Sequence, residues 1–108
     1  MAFAIRVLKM ADALPKTVSG RTIAGQVARS GCSVASNYRA ALRGKSRADF
    51  INKITIVLEE ADETEFFIDL TEKAGLLPAK RLKSLKLEAQ ALIKIFNATR
   101  TTARNHKS

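Results

Sequence analysis

The chain has 108 residues, 46% of them hydrophobic and only 6% aromatic, which is enough for one domain with an aliphatic core. Its net charge of +9 and pI near 10.2 are typical of small domains that meet nucleic acid or another anionic surface. A single cysteine, Cys32, excludes a disulfide framework and a multi-cysteine zinc site. No apolar run approaches the roughly 18 residues of a transmembrane helix, and the N-terminus lacks the apolar region of a signal peptide. We therefore expect no membrane association and a cytoplasmic location.

Four segments show the three-and-four spacing of apolar residues that is typical of amphipathic helices, and they predict helices over 3–14, 21–43, 47–75 and 79–101. The first ends before Pro15, which disfavours helical geometry in the preceding residue. The second contains the small run from Ser30 to Ser33, and Gly31 within it costs a helix about 1 kcal/mol relative to alanine. We expect another helix to approach closely there, with room for a kink in the second helix; the alternative is a break in that helix.

The third segment is the longest and the most informative. Ser46 can cap its start, with Asp49 three positions on, while Gly75 and Pro78 predict its end. Its apolar residues form two stripes, one through Phe50, Ile54, Val57, Ala61 and Ile68, the other through Ile51, Leu58, Phe67 and Leu70. Two stripes exceed what one bundle core covers, so we expect the second to face another subunit.

Short connections between these helices predict an all-α fold, an antiparallel up-down-up-down four-helix bundle. The bundle forms one domain over residues 1–108. The fourth segment shows an a/d-like seam up to Phe96, after which the sequence becomes polar and basic. We expect the tail 102–108 to be disordered.

Charge is segregated along the chain. There is no acidic residue from Ala13 to Ala48, whereas the second half of the third helix is rich in Asp and Glu. We expect Asp62 and Glu63 to form structural ion pairs with Arg29 or Arg39 across the second and third helices, where such pairs fix orientation more securely than they add stability. The basic and acidic helices would then neutralise each other in part. The alternative is that some of the basic residues face a polyanion.

No residue pattern indicates catalysis, so we expect neither an enzyme nor a bound cofactor or metal. The only histidine, His106, lies in the polar tail, and no histidine lies near Cys32 in the sequence to activate it. The acidic face of the third helix lacks the Glu-x-x-His pairs of di-metal bundles. A glycine-rich phosphate loop is also absent from the sequence.

Two basic clusters are the candidate nucleic-acid-binding residues. The cluster at the turn between the second and third helices contains Arg39, Arg43, Lys45 and Arg47. The cluster at the start of the fourth helix contains Lys80, Arg81, Lys83 and Lys86. Long basic side chains reach phosphates from several backbone positions, but aromatic residues for base stacking are scarce. The predicted antiparallel bundle would place the two clusters at opposite ends.

Three patches of sequence resemble a known family. They are residues 29–41 (RSGCSVASNYRAA), residues 46–51 (SRADFI), and residues 60–64 (EADET) followed by 74–77 (AGLL). In this order and spacing the chain resembles the 23S rRNA-intervening sequence proteins over nearly its whole length. Many members carry proline where this chain has Ala35, so no proline kink is expected in the second helix.

The resemblance implies a small bacterial four-helix bundle that assembles as a ring, with a homopentamer as the first choice. A related branch, the accessory protein of diversity-generating retroelements, binds nucleic acid and a reverse transcriptase. We therefore expect a non-enzymatic homo-oligomer that binds RNA or DNA through backbone phosphates. The alternative is an oligomeric scaffold or accessory protein for a protein partner such as a reverse transcriptase, without direct nucleic-acid binding.

Overall fold

The computed structural model describes residues 1–105 and contains four helices: α1 (Ala2–Ala13), α2 (Val18–Leu42), α3 (Arg47–Lys73) and α4 (Ala79–Asn105). No strand occurs in this part of the chain, and the predicted all-α four-helix bundle is confirmed. The bundle is a rod of 51 × 20 × 19 Å. Both α1 and α3 pack against α2 and α4. Over the described range, none of the helices is long and apolar enough to cross a membrane.

Side-chain caps mark the starts of α2 and α3, and a glycine follows the end of α3. The Thr17 hydroxyl accepts the Gly20 backbone N–H at 3.1 Å, so α2 begins three residues before its predicted start at 21. The Ser46 hydroxyl accepts the Asp49 N–H at 3.1 Å and begins α3 as predicted. After α3, Gly75 has a φ of +70°, a left-handed conformation that glycine adopts without steric cost and that commonly follows a helix.

Helix α4 is longer than its sequence pattern predicts. It continues to Asn105, so residues 102–105, which were expected to belong to a disordered tail, are helical. Thr102 and Ala103 line a groove together with Arg47 and Phe50 of α3, and this tertiary neighbour supports the extra turn. The rest of the predicted tail, including His106, lies outside the described residues.

The core is mostly aliphatic, and one pair of buried hydroxyls joins two of its helices within residues 1–105. Ile54, Ile68 and Leu82 are among the largest fully buried side chains. Between α2 and α3, the hydroxyls of Ser30 and Thr64 lie 2.8 Å apart and are both fully buried. Each also lies within hydrogen-bond distance of a carbonyl of its own helix, so this buried polar pair is satisfied.

The close approach predicted at Gly31 is confirmed. Helix α2 is continuous through residues 30–33, and a Cβ added at Gly31 would lie 2.6 Å from Cγ1 of Val7 on α1. Real Cβ atoms do not approach another atom so closely, so only glycine lets the two helices pack at this distance. The glycine is therefore explained by helix–helix packing and not by a break in α2.

The two apolar stripes of α3 have different environments. In the first stripe Ile54, Val57 and Ile68 are fully buried. The second stripe contributes Leu58 and Phe67 to the edge of the core, whereas Leu70 is 37% exposed. Phe66, next to that stripe, is 57% exposed. The exposed apolar surface on α3 is thus a small patch near its C-terminal half and not a full second stripe.

Candidate nucleic-acid interface

The end of the bundle at the α2–α3 turn carries a concentration of positive charge. Four of the predicted binding residues lie there, and all four are exposed: Arg39, Arg43, Lys45 and Arg47. The groove between the start of α3 and the last turns of α4 brings Arg100 and Arg104 to the same end. We call these six residues the basic tip: Arg39, Arg43, Lys45, Arg47, Arg100 and Arg104.

Local structure explains how the tip is built. Arg39 lies in the last turn of α2, Arg43 is its C-cap residue, and Arg104 lies in the last turn of α4. A cation is favourable at these positions because the unpaired carbonyls at a helix C-terminus carry partial negative charge. At Gly44 the chain turns tightly, with the Gly44 N–H donated to the Ala41 carbonyl at 3.0 Å. The two helix ends thus support the positive charge of the tip.

Acidic residues are scarce in the segments that build the tip. Asp49 is the only Asp or Glu in residues 34–58 and 92–105, which contain eight Arg and Lys residues. Within residues 1–105, no salt bridge forms at Arg39, Arg43, Lys45 or Arg104. Their charges are therefore available to an external anion.

The second predicted cluster lies at the start of α4, in a more acidic setting. Lys80, Arg81 and Lys83 are exposed, but the ammonium of Lys86 lies 2.6 Å from a carboxylate oxygen of Asp69 and 4.0 Å from Glu72. The hydrogen bond to Asp69 raises the pKa of Lys86. Lys86 therefore joins α4 to α3, and its predicted role as a free phosphate ligand does not fit this position.

Asp69 is the centre of that small network. Its carboxylate accepts hydrogen bonds from Lys73 at 2.8 Å and from Lys86 at 2.6 Å. The hydrogen bond from Lys73 is the larger cause, that from Lys86 the smaller, and together they hold the pKa of Asp69 below its usual value.

At the same end, Arg81 faces a groove that also contains Arg6 and Lys9 of α1. Arg6 in turn pairs with Glu88 of α4, so acids compensate part of the charge at this end.

The predicted ion pair of Arg29 forms with one of its two expected partners. The guanidinium lies 2.6 Å from Glu63 and 2.9 Å from Glu60, and the hydrogen bond to Glu63 is the larger cause of its raised pKa. The prediction is wrong for Asp62, which instead lines a groove on the α4 side of α3 together with Phe66. Positions 60 and 63 share a helix face, whereas position 62 is rotated away from both.

Sequence reasoning missed two residues of the tip and one partner of Arg29. Arg104 was assigned to the disordered tail 102–108 because no apolar periodicity continues there, and Arg100, near the end of the predicted helix 79–101, was not among the predicted binding residues. A signal was nevertheless present in Ala98, Thr102 and Ala103, whose spacing continues one helix face onto the groove beside Phe50.

Among residues 1–105, no group of three or more His, Cys, Asp or Glu residues is placed to hold a metal ion.

Comparison with known proteins identifies a family and a similar solved structure. The family model described as "23S rRNA-intervening sequence protein" matches residues 1–98. A crystal structure at 1.70 Å, of a protein with unknown function from the S23 ribosomal protein family of Bacteroides thetaiotaomicron, is 31% identical to this chain. The match covers 91% of each chain with a TM-score of 0.85. No curated protein matches the chain.

Proposed function

The chain belongs to the family of 23S rRNA-intervening sequence proteins, and on that premise we propose that it is a non-enzymatic homo-oligomer that binds RNA or DNA through backbone phosphates. The observation that carries the proposal is the basic tip, where Arg39, Arg43, Lys45 and Arg104 are exposed and form no salt bridge within residues 1–105. A nucleic-acid partner implies a cytoplasmic location.

In this proposal the helices are arranged antiparallel, up-down-up-down. Supporting this, Arg47 at the start of α3 shares a groove with Thr102 near the end of α4. Glu72 at the end of α3 shares another groove with Lys80 at the start of α4. This arrangement brings the ends of α2 and α4 together and so concentrates the tip.

The proposed assembly is a ring of five chains, which the family resemblance suggests. Exposed apolar side chains support self-association, because Leu42, Phe66, Leu87 and Ile95 are each more than half exposed. At +9 per chain, five chains carry 5 × 9 = 45 net positive charges. Several weak phosphate contacts on one assembly add through multivalency, so each tip need bind only weakly.

Binding of this kind depends on charge and not on base sequence. Lysine and arginine side chains that neutralise phosphates release condensed counterions, and the released ions supply much of the free energy of binding. The affinity should therefore fall steeply with salt concentration and change little between unrelated sequences. The groove at this end offers little for base stacking. Phe50, the aromatic residue that lines it, is partly buried and lies among threonine and alanine residues.

The experiment is a titration of labelled RNA and DNA of unrelated sequences, followed by fluorescence anisotropy at about 50 and about 150 mM salt. The test variant is the triple charge reversal Arg43→Glu, Lys45→Glu and Arg104→Glu. We expect at least a tenfold loss of affinity and a flatter dependence on salt, with unchanged helical content by circular dichroism.

A matched control makes the same change in net charge at the other end of the bundle, with Lys9→Glu, Lys16→Glu and Arg21→Glu. All three of these residues are exposed, and a carboxylate at position 21 is favourable in the first turn of α2. We expect the control to lose much less affinity than the tip variant. If the assembled wild-type protein fails to bind at about 150 mM salt, the proposal falls and the scaffold alternative, with a protein partner such as a reverse transcriptase, takes its place.

A further inference from the structure

An apolar notch opens where α1 begins, because α2 and α4 continue beyond it. Its lining residues come from the start of the chain (Met1, Phe3 and Ala4), from α2 (Val34, Ala35 and Tyr38) and from α4 (Leu92, Ile95 and Phe96). The notch encloses about 270 Å³. The Tyr38 and Phe96 rings pack with their centroids 5.4 Å apart, yet Tyr38 is still 41% exposed and Ile95 57% exposed.

The chain around the notch is uniformly basic. Residues 1–4, 34–47 and 92–105 contain no Asp or Glu. Two basic residues of these segments are sequence neighbours of notch residues, Arg39 beside Tyr38 and Lys94 beside Ile95, and the others lie towards the tip: Arg43, Lys45, Arg47, Arg100 and Arg104. An occupant of the notch therefore needs an apolar centre and a negatively charged surround.

The same chain carries a surface of that kind on α3. Phe66 is 57% exposed, the highest exposure of the chain's phenylalanines within residues 1–105, and Leu70 one turn on is 37% exposed. Asp62, Glu65 and Asp69 line a shallow groove with Phe66 on the α4 side, where Lys86 pairs with Asp69 and, among the described residues, leaves Asp62 and Glu65 as its unpaired acids. Residues 59–72 contain seven acidic residues and no Lys or Arg; four of the seven pair with Arg29, Lys73 or Lys86, and within residues 1–105 no salt bridge forms at Glu59, Asp62 or Glu65. We call this surface the Phe66 knob.

We infer that the Phe66 knob of one copy of the chain seats in the apolar notch of the next copy. This inference rests on the self-association in the proposed function and names the surfaces that would form it. Apolar side chains meet at the centre, and opposite charges surround them, which is the arrangement of a stable interface with a polar rim. Because knob and notch are different surfaces, the contact is head-to-tail and generates a ring where the rotation closes.

The contact leaves the end of the tip free. Ile95 in the notch and Arg104 in the tip are nine residues apart on α4, about 14 Å along the helix at 1.5 Å per residue. Lys45 lies beyond the last residue of α2. The end of the tip can therefore contact phosphate while the notch is occupied by a neighbouring copy.

The test uses two variants that each disable one surface. Phe66→Asp destroys the knob and keeps the notch, whereas Ile95→Asp destroys the notch and keeps the knob. Both positions are 57% exposed, so the substitutions leave the core intact, and circular dichroism confirms that they fold. The matched control is Val18→Asp, which changes an 83% exposed apolar residue away from both surfaces. Mass is measured by light scattering and native mass spectrometry.

We expect the wild-type protein and the Val18→Asp control to form the same oligomer, and each single variant to be a monomer. An equimolar mixture of the two variants should form a 1:1 heterodimer that does not grow, because only one working knob and one working notch remain. Variants that still assemble, or a mixture that stays monomeric at a concentration where the wild type is assembled, would overturn the inference while leaving the oligomer and its nucleic-acid binding in place. A monomeric wild-type protein would overturn the self-association itself.

Discussion

Replacing Gly31 with alanine should separate two opposing effects on stability. In a helix, alanine is favoured over glycine by about 1 kcal/mol. At this position, however, the new Cβ would lie 2.6, 2.9 and 3.2 Å from the Cγ1, Cβ and Cγ2 atoms of Val7. Val7 is fully buried, so α1 must shift or the side chain must leave its preferred conformation. Overpacking of a well-packed core typically costs about 1–3 kcal/mol.

Gly25→Ala is the matched control, because it makes the same substitution in the same helix and its Cβ would meet nothing within 4 Å. It should stabilise the protein by up to about 1 kcal/mol. The helix-propensity gain is common to both variants, so their difference in unfolding free energy isolates the steric cost. We expect Gly31→Ala to be less stable than Gly25→Ala by about 1–3 kcal/mol.

The assay is urea unfolding followed by circular dichroism at one fixed protein concentration, since self-association makes apparent stability depend on concentration. A double-mutant cycle with Val7→Ala adds a second criterion. Removing the two Cγ atoms should make Gly31→Ala less costly than in the wild-type background. If both glycine variants gained stability equally, the close approach of α1 and α2 would not be the reason for Gly31.

Three further predictions concern polar contacts. Thr64→Val removes the buried hydroxyl that meets Ser30 and should lower the unfolding free energy by about 1 kcal/mol, measured in the same urea assay; no change would mean that the hydroxyl pair is dispensable. The lowered pKa of Asp69 means that its contribution to stability is present above the unfolded-state pKa and is lost as pH falls through the folded-state pKa. A carboxyl titration by NMR should place the Asp69 midpoint below the normal range, and Lys86→Met should move it upward; an unmoved midpoint would contradict the contact. Arg29→Met should change the melting temperature little, because 48% of the Arg29 side chain is exposed, and a large drop would mean that the pair is more buried than this structure has it.

The sequence predicts the helices well because each carries its own local signals. Ser46 and Gly75 mark the two ends of α3 through capping and left-handed geometry, and both functions depend only on neighbouring residues. The last turn of α4 could not be predicted in the same way. Its support comes from Phe50, more than forty residues earlier in the chain, and a local pattern contains no information about such a neighbour.

The candidate site follows the same division between local and long-range information. The charges of the tip are visible in the sequence, but their accessibility depends on which acids face them. Arg29 and Lys86 find acids because Glu63 and Asp69 lie on the facing sides of α3. If α3 were rotated by one residue position, Asp62 would face Arg29 in place of Glu63. Which of the two acids faces Arg29 depends on how α2 and α3 pack.

Charge segregation in the folded bundle explains why the tip keeps its positive charge. Two interpretations of the sequence were open: the acids of α3 could neutralise the basic residues of α2, or some of those residues could face a polyanion. The acids in residues 59–72 lie beside Arg29, in the first half of α2, and beside Lys86, in the first half of α4, and they form ion pairs there. The ends of α2 and α4 lie instead beside the start of α3, where Asp49 is the only acid before Glu59. Neutralisation therefore holds for one part of the bundle, and because the acids are concentrated there, the opposite end retains a positive field that extends about one Debye length into solvent, roughly 8 Å at physiological salt.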